Sequence, residues 1–383
     1  VVLFIINIES QGQTREASPL FVTDFEAMAA LKSSISQGDK EALKTYESII
    51  DQADAAMMQG PFSVVHKTGI PPSGDKHDYM SMGPYWWPNP DTPDQLPYIR
   101  RDGEVNPEAR NEHTDYNRKN ACFRAIGVLG RAFYYSGERQ YAEKALELID
   151  TWFIDPETKM NPNLNYGQGV PGRTAGRPFG IIEFRILEDV IKTLEILKQM
   201  ATLPANTEKG MHDWLTQFAN WLQTSDLGVM EGTRKNNHAT WYDVQLCKIL
   251  LYLGEVEQAT SILEEAKTRR IATQIEPDGS QPLELARTKS FSYSTMNLAG
   301  FTELARLGSL VGVDLWHYET DDGRSIQRAY EFMLPYVTTD KNWEYQQLEE
   351  GGDYKDRFRE LVAKAAKDFD DAWLRAAAGQ LSR

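Results

Sequence analysis

Apolar positions recur at helical spacing along nearly the whole chain. Between Glu41 and Met58, the residues Leu43, Tyr46, Ile49 and Ile50 fall on one face, the recurrence of an amphipathic helix. The same pattern predicts helices over Asn117 to Tyr135, Gln140 to Phe153, Phe184 to Met200, Glu208 to Leu222, Ala239 to Leu253 and Val256 to Thr268. It continues over Ser292 to Leu310, Ile326 to Tyr336 and Tyr354 to Ala378. Thr23-Asp24-Phe25-Glu26 reads as a capping box that opens a further helix. Strand-like alternation is almost missing. A continuous run of paired antiparallel helices predicts an all-α chain folded as an α/α toroid, an incomplete barrel of some six or seven helical hairpins around a central cleft. A helical solenoid is the rival architecture, but solenoids carry a fixed-period repeat and none is visible. With no break in composition, residues 21–383 are expected to form a single domain.

Three connections are too long to be simple turns. Gly60 to Asn106 carries Tyr85-Trp86-Trp87-Pro88-Asn89-Pro90, Asp155 to Pro178 carries a run of Asn and Gly residues, and Gln274 to Lys289 is the third. Structureless segments of that length in a compact protein are usually functional. Lys341 to Gly351 reads instead as a solvated loop. At the start, Val1 to Ile6 is apolar, patterned like the end of a secretory signal and too short to span a bilayer. Residues 1–20 are therefore expected to be a signal-peptide remnant or a disordered N-terminus. The protein is expected to be periplasmic or secreted, with no membrane insertion.

An apolar fraction of 41% over 383 residues supplies a sizeable core, and 9 Trp with 17 Tyr exceed what packing alone needs. Flat aromatic faces suit carbohydrate. A net charge of −15 excludes a nucleic-acid partner, which needs a basic stripe. It also opposes a polyanionic substrate unless basic residues gather at one cleft, where the local field outweighs net charge. Arg234, Lys235, Arg287 and Lys289 flank the two motifs described next, and Arg118, Lys119, Arg173 and Arg177 lie near other polar loops. Cys122 and Cys247 sit in apolar helical contexts and read as buried thiols.

The segment Arg234-Lys235-Asn236-Asn237-His238-Ala239-Thr240-Trp241-Tyr242 is a poor way to build a core. It is a good way to present an amide, an imidazole and ring faces to an acidic sugar. Glu284-Leu285-Ala286-Arg287-Thr288-Lys289-Ser290-Phe291-Ser292-Tyr293 adds a guanidinium and a phenol. Asn237, His238, Arg287 and Tyr293 are what β-elimination from a 4-linked uronate requires. The C5 proton is acidic only when the neighbouring carboxylate takes up charge, and an ionised carboxylate resists a second charge. Donors must neutralise it, which amide and imidazole N–H groups do, and a guanidinium fork more strongly. A base then removes the proton and an acid protonates the O4 leaving group. A tyrosine serves as both when a nearby cation favours its phenolate, against an ordinary pKa of about 10. Asn237 and His238 are adjacent, so both reach one ligand only from a helix start or a loop. Arg287 could instead pair with Glu284, and His238 and Tyr293 could be ordinary packing residues.

Tyr85, Trp86 and Trp87 stand amid prolines and suit a stacking wall or lid, with His77, Asp78 and Tyr79 just before them. Tyr166, Gln168 and Arg173 are further candidate sugar contacts, as are Trp241 and Lys289 beside the two motifs. Gly167-Gln168-Gly169-Val170-Pro171-Gly172 matches a dinucleotide fingerprint by letter, but no apolar strand precedes it. His77 and His113 have no defensible metal-ligand spacing. No metal and no cofactor are expected.

Asn236-Asn237-His238 with Trp241, followed by Glu284-Leu285-Ala286-Arg287 and Tyr293, resembles the alginate lyase superfamily of α/α-toroid enzymes. The likeness is greatest to the polysaccharide lyase family 38 type of gut Bacteroidetes and runs from Tyr85-Trp86-Trp87 to the helix after Tyr293. It implies that Asn237 and Arg287, helped by His238, neutralise the uronate carboxylate. It implies that Tyr293 is the acid and, for syn elimination, also the base, with His238 as base for the opposite C5 epimer. The expected activity is a polysaccharide lyase acting on an anionic polysaccharide, alginate first and glucuronan beside it. One rival is an α/α-barrel glycoside hydrolase using Glu183 and Asp243. The other is a glycan-binding protein without turnover.

Overall fold

The helices follow one another in the order the apolar pattern predicts. In the computed structural model, which describes residues 22–348 and 354–381, α1 (Phe25–Ser36) and α2 (Lys40–Met57) precede a long loop. Then come α3 (Tyr116–Ser136), α4 (Arg139–Ile149), α5 (Leu187–Gln199), α6 (Ala205–Thr224), α7 (Asp226–Gly232), α8 (Asn237–Leu253) and α9 (Val256–Ala266). The short α10 (Ala272–Gln274) and α11 (Pro282–Leu285) lead to α12 (Ser290–Leu310), α13 (Ile326–Met333), α14 (Pro335–Thr338), α15 (Asp356–Asp368) and α16 (Ala372–Leu381). The expected signal remnant at 1–20 and the end of the loop from Lys341 to Gly351 lie outside the described residues.

α3 packs on α5, α5 on α8, α8 on α12 and α12 on α15, which makes a curved inner row. α3, α8 and α12 bury residues all round, as helices do when neighbours cover every face. Partners cover them from outside: α2 and α4 on α3, α9 on α8, α13 on α12. This is the α/α toroid. One continuous cluster of buried side chains runs from Val22 to Ala377. Cys122 and Cys247 are buried free thiols within it. Among the described residues no helix is long and apolar enough to cross a membrane.

Several boundaries differ from the expected ones, each for a local reason. Asp24 and not Thr23 caps α1, its Oδ1 accepting from Ala27 N at 2.8 Å, because Thr23 N is drawn to Glu195 at 2.8 Å. Pro335 ends α13 early, since it has no N–H to give the helix. The stretch from Tyr354 to Ala378 is two helices: Phe369 leaves the helical path and stacks on Trp316 at 4.6 Å. α9 runs into a π-helical turn, Lys267–Ile271. That turn aims Arg270 at Asp243 of α8, which it clamps through Nε and Nη2 at 2.7 and 2.9 Å.

The loop after α2 contains β1 (Met80–Met82), β2 (Trp86–Trp87) and β3 (Ile99–Arg100). β1 runs parallel to β4 (Tyr166–Gly169), with Met80 opposite Tyr166, and β2 runs antiparallel to β3, with Trp86 opposite Arg100. Two of the three long loops are thus stitched together. Beneath them Lys67 and Asp115 form a fully buried ion pair at 3.0 Å, and Asp115 also accepts from Met80 N at 3.0 Å. That pins β1 to the start of α3.

Candidate active site

α8 and α12 lie side by side, and both begin with backbone N–H groups that no local side chain caps. Remote residues supply the acceptors. Glu284 takes Asn237 N at its Oε1 and Asn237 Nδ2 at its Oε2, each at 2.7 Å. A carboxylate at a helix N-terminus is favoured by the helix dipole. Gln347 Oε1 does the same for α12, accepting from Phe291 and Ser292 N at 2.9 and 3.4 Å. The helix start expected for Asn237 and His238 is therefore present, and Arg287 and Tyr293 straddle the entry to α12. Burial raises the pKa of Glu284, and the Asn237 bonds and the Arg287 charge offset only part of that rise. Glu284 thus stands within electrostatic reach of Asn237, Arg287 and His238, and Tyr293 touches Arg287.

Tyr293 Oη accepts from Arg287 Nη2 at 2.8 Å and shares a hydrogen bond with Tyr85 Oη, also at 2.8 Å. The Arg287 guanidinium lies over the Tyr293 ring at 3.8 Å. Burial raises the Tyr293 pKa far above its ordinary value, Tyr85 adds to that, and Arg287 offsets only part. The resting group is a neutral phenol. This corrects the expectation that the neighbouring cation favours phenolate: burial outweighs the charge of Arg287, which Asp102 already answers through Nε and Nη2 at 3.1 and 2.8 Å. Among the described residues, Arg287 Nη1 remains uncommitted.

His238 Nδ1 lies 2.5 Å from Glu231 Oε1, and Glu231, fully buried at the end of α7, also accepts from Arg234 Nε at 2.8 Å. Phe179 meets the His238 ring edge-on at 4.8 Å, and the Arg234 guanidinium lies over the Phe179 ring at 3.8 Å. The side chains of Arg287 and His238 keep 17% and 12% exposure, enough for one edge of each to meet a ligand. Asn237 has none. Its amide is spent on Glu284 and its Oδ1 has no partner among the described residues, so it sits deeper than the expected contact with a substrate carboxylate.

The remaining expected contacts divide. Tyr85 joins the site. Trp86 carries Arg173 and Arg177 over its ring at 5.1 and 5.6 Å. Trp87 gives Nε1 to the Glu104 carbonyl at 3.0 Å under Arg101. Tyr166 and Gln168 lie in β4, and Lys289 precedes α12, its carbonyl accepting from Tyr293 N at 3.0 Å. Three do not join. Tyr79 is wholly buried, donating to Glu183 Oε2 at 2.8 Å with its ring on Phe184, because strand alternation at β1 turns it inward. His77 is occupied with the Lys159 carbonyl at 2.6 Å. Trp241 serves helix packing: Nε1 donates to the Met296 carbonyl at 3.0 Å, and the ring lies against Gly300, where an added Cβ would crowd the neighbouring Thr240 at 2.8 Å. Arg287 pairs with Asp102 and not with Glu284, which is taken by Asn237. The carboxylates of the hydrolase rival are both buried: Asp243 is clamped by Arg270, and Glu183 accepts from Tyr79 and Ser81 at Oε2, its Oε1 having no partner among the described residues.

Asp102, Glu231 and Phe179 were not expected from the sequence. Glu231 precedes His238 by 7 positions, but a break between α7 and α8 hides the relation, and Asp102 lies 185 residues from Arg287. The basic gathering that a chain of net charge −15 needs is present: burial first, and then the nearby Arg100 and Arg234, lower the pKa of Arg177.

The alginate lyase family model matches residues 63–343. A crystal structure of an alginate lyase from Bacteroides ovatus is 37% identical, over 95% of this chain and 96% of that one, at a TM-score of 0.90. Alginate lyase A1-III from Sphingomonas species A1 shares the fold at 18% identity, over 81% of this chain and 76% of that one, at a TM-score of 0.51. A histidine-to-alanine variant of alginate lyase A1-III complexed with tetrasaccharide shares it at 17% identity, over 91% and 88%, at a TM-score of 0.55. No curated protein matches.

Proposed function

The chain belongs to the alginate lyase family, and from that premise we propose that it breaks 4-linked uronate chains, alginate foremost, by β-elimination between His238 and Tyr293. It is a polysaccharide lyase. The observation that carries the finer assignment is the Tyr293 hydroxyl held at 2.8 Å by both Arg287 and Tyr85, with Glu284 in electrostatic reach of both Arg287 and His238.

Glu231 as a carboxylate can only accept, so it fixes the imidazole proton on Nδ1 and leaves the Nε2 lone pair as the base for C5–H. Tyr293, a neutral phenol at rest, gives its proton to the departing O4. Arg287 offers Nη1 to the uronate carboxylate as charge develops there. Asn237 acts from behind as a positioning residue, tying Glu284 to the start of α8. With base and acid on different residues, the arrangement suits guluronate, in which C5–H and O4 stand anti. For mannuronate, where they are syn, Tyr293 must lose its proton first, and Arg287 and Tyr85 are placed to accept its charge. Glucuronan is kept as a further substrate on the same chemistry. A polymer of this kind is met outside the cytoplasm, which fits the export read from the N-terminal residues.

The test is purified protein on polyguluronate, polymannuronate and glucuronan with near-ultraviolet absorbance and reducing ends measured together. Elimination gives both signals in equal molar yield, through the new C=C bond. Reducing ends without absorbance would establish hydrolysis and overturn the reading.

A further inference from the structure

Trp86 carries two guanidiniums over its ring, each held by a further hydrogen bond. Arg177 gives Nε to the Gln168 carbonyl at 2.9 Å and Nη2 to Gln168 Oε1 at 2.7 Å. To present both acceptors Gln168 adopts a φ of 48°, a left-handed conformation that a non-glycine residue holds only against strain. Gly83 leaves the room: a Cβ there would stand 2.6 Å from Arg177 Nη2 and 2.7 Å from Trp86 Cδ1. Arg173, exposed at the surface, gives Nε to the Tyr98 carbonyl at 2.8 Å. Among the described residues no carboxylate pairs with either guanidinium, in a chain of net charge −15. Like charges held side by side repel, and strain that keeps them together marks a place made for an anion.

Arg173 also lines a cleft of about 730 Å³, with Tyr98, Met82, His113 and Thr114 in its walls and the Glu108 carboxylate there engaged by the Tyr98 hydroxyl at 2.8 Å. None of Asn237, His238, Arg287 or Tyr293 lines it. Thr114 is 6% exposed, and its Oγ1 has no partner. The path from the reaction centre to this cleft is continuous. Phe179 touches His238 at 4.8 Å, Arg177 covers Phe179 at 4.7 Å, and Trp86 joins Arg177 to Arg173 at 5.6 and 5.1 Å. Cation and ring face alternate along it in steps comparable to one sugar. A uronate polymer offers the complement, a carboxylate on each ring for a guanidinium and C–H faces for an aromatic.

We propose that Arg173, Trp86 and Arg177, with the cleft beyond them, form a distal uronate subsite that grips a sugar several units from the bond being broken. The enzyme thereby reads chain length. This rests on the lyase reading above.

Steady-state kinetics on alginate polymer and on an alginate trisaccharide as the short substrate test it with wild type, Arg173→Ala and Arg173→Lys. Arg173→Ala is expected to raise KM for polymer by roughly tenfold through loss of a charge-assisted contact. The ratio of polymer to trisaccharide kcat/KM falls by the same factor. Arg173→Lys recovers part of it, keeping the charge but losing the planar stack. Circular dichroism confirms that the variants are folded. An Arg173→Ala enzyme that loses equally on both substrates, or on neither, overturns the distal subsite. A wild type that forms no unsaturated product from either substrate overturns the lyase reading itself, and the subsite with it.

Discussion

Asp102 and Arg287, 185 residues apart in the chain, meet in a two-point ion pair, Nε to Oδ2 at 3.1 Å and Nη2 to Oδ1 at 2.8 Å. The same carboxylate accepts from Thr288 Oγ1 at 3.1 Å. The loop that carries Tyr85 and Trp86 is thereby fastened to the entry of α12. Arg287 is thereby held with its fork half used, its direction set and Nη1 uncommitted among the described residues.

Asp102→Asn keeps the shape and removes the charge. Without the second anchor Arg287 loses its fixed direction, and kcat/KM on alginate is expected to fall by roughly tenfold to a hundredfold. Burial alone would raise the Asp102 carboxyl, but Arg287 holds it down at about 2. A depressed folded value means that the pair stabilises the fold above the unfolded pKa of about 4 and is lost as pH falls toward the folded value. Unfolding midpoints measured from neutral pH into acid should show a constant gap between wild type and variant that closes below about pH 4. A gap that persists unchanged in acid contradicts the pairing.

Glu231→Gln tests how His238 is held. Glutamine can donate as well as accept, so the proton is no longer confined to Nδ1 and Nε2 is no longer reserved as a base. The kcat on polyguluronate is expected to drop by about a hundredfold or more, with KM little moved. Mannuronate, which relies on Tyr293 for both steps, should suffer less. Equal losses on both polymers would remove His238 from the role of base.

Lys119 gives a prediction about stability alone. Its Nζ donates to the Glu183 carbonyl in full burial, and desolvation, aided by Arg185, Arg110 and Arg124, lowers its pKa to about 7. In the unfolded chain it keeps a proton up to about 10.4. Between those values the unfolded state binds more protons, so stability rises with pH. Denaturant unfolding from pH 7 to 10 should show wild type gaining on Lys119→Met; parallel curves would mean that Lys119 titrates normally.

The helices were legible because a 3.6-residue period persists over whole turns and needs no tertiary partner to be seen. Their interruptions were not: Phe369 leaves its helix to stack on Trp316, a contact set by a distant segment. The site was half legible. Asn237 with His238, and Arg287 with Tyr293, are close in sequence and sit at helix starts, so composition and spacing bring them forward. Asp102 and Glu231 select their partners only after folding. The spacing of Glu284 and Arg287 suggested an ion pair, but α11 ends at Leu285 and Arg287 turns to Asp102. Aromatic content pointed to carbohydrate without telling inward from outward. Tyr79 and Trp241 therefore looked like Tyr85 and Trp86 until strand alternation and helix packing turned the first two inside.

The central claim is that the Tyr293 hydroxyl delivers the proton to the leaving sugar. The direct measurement is near-ultraviolet product formation from polyguluronate and polymannuronate by wild type and Tyr293→Phe, with polymer binding followed in parallel. Loss of about a hundredfold or more in kcat on both polymers, with binding kept, is the expected result. A Tyr293→Phe enzyme that forms unsaturated product at the wild-type rate would contradict the account.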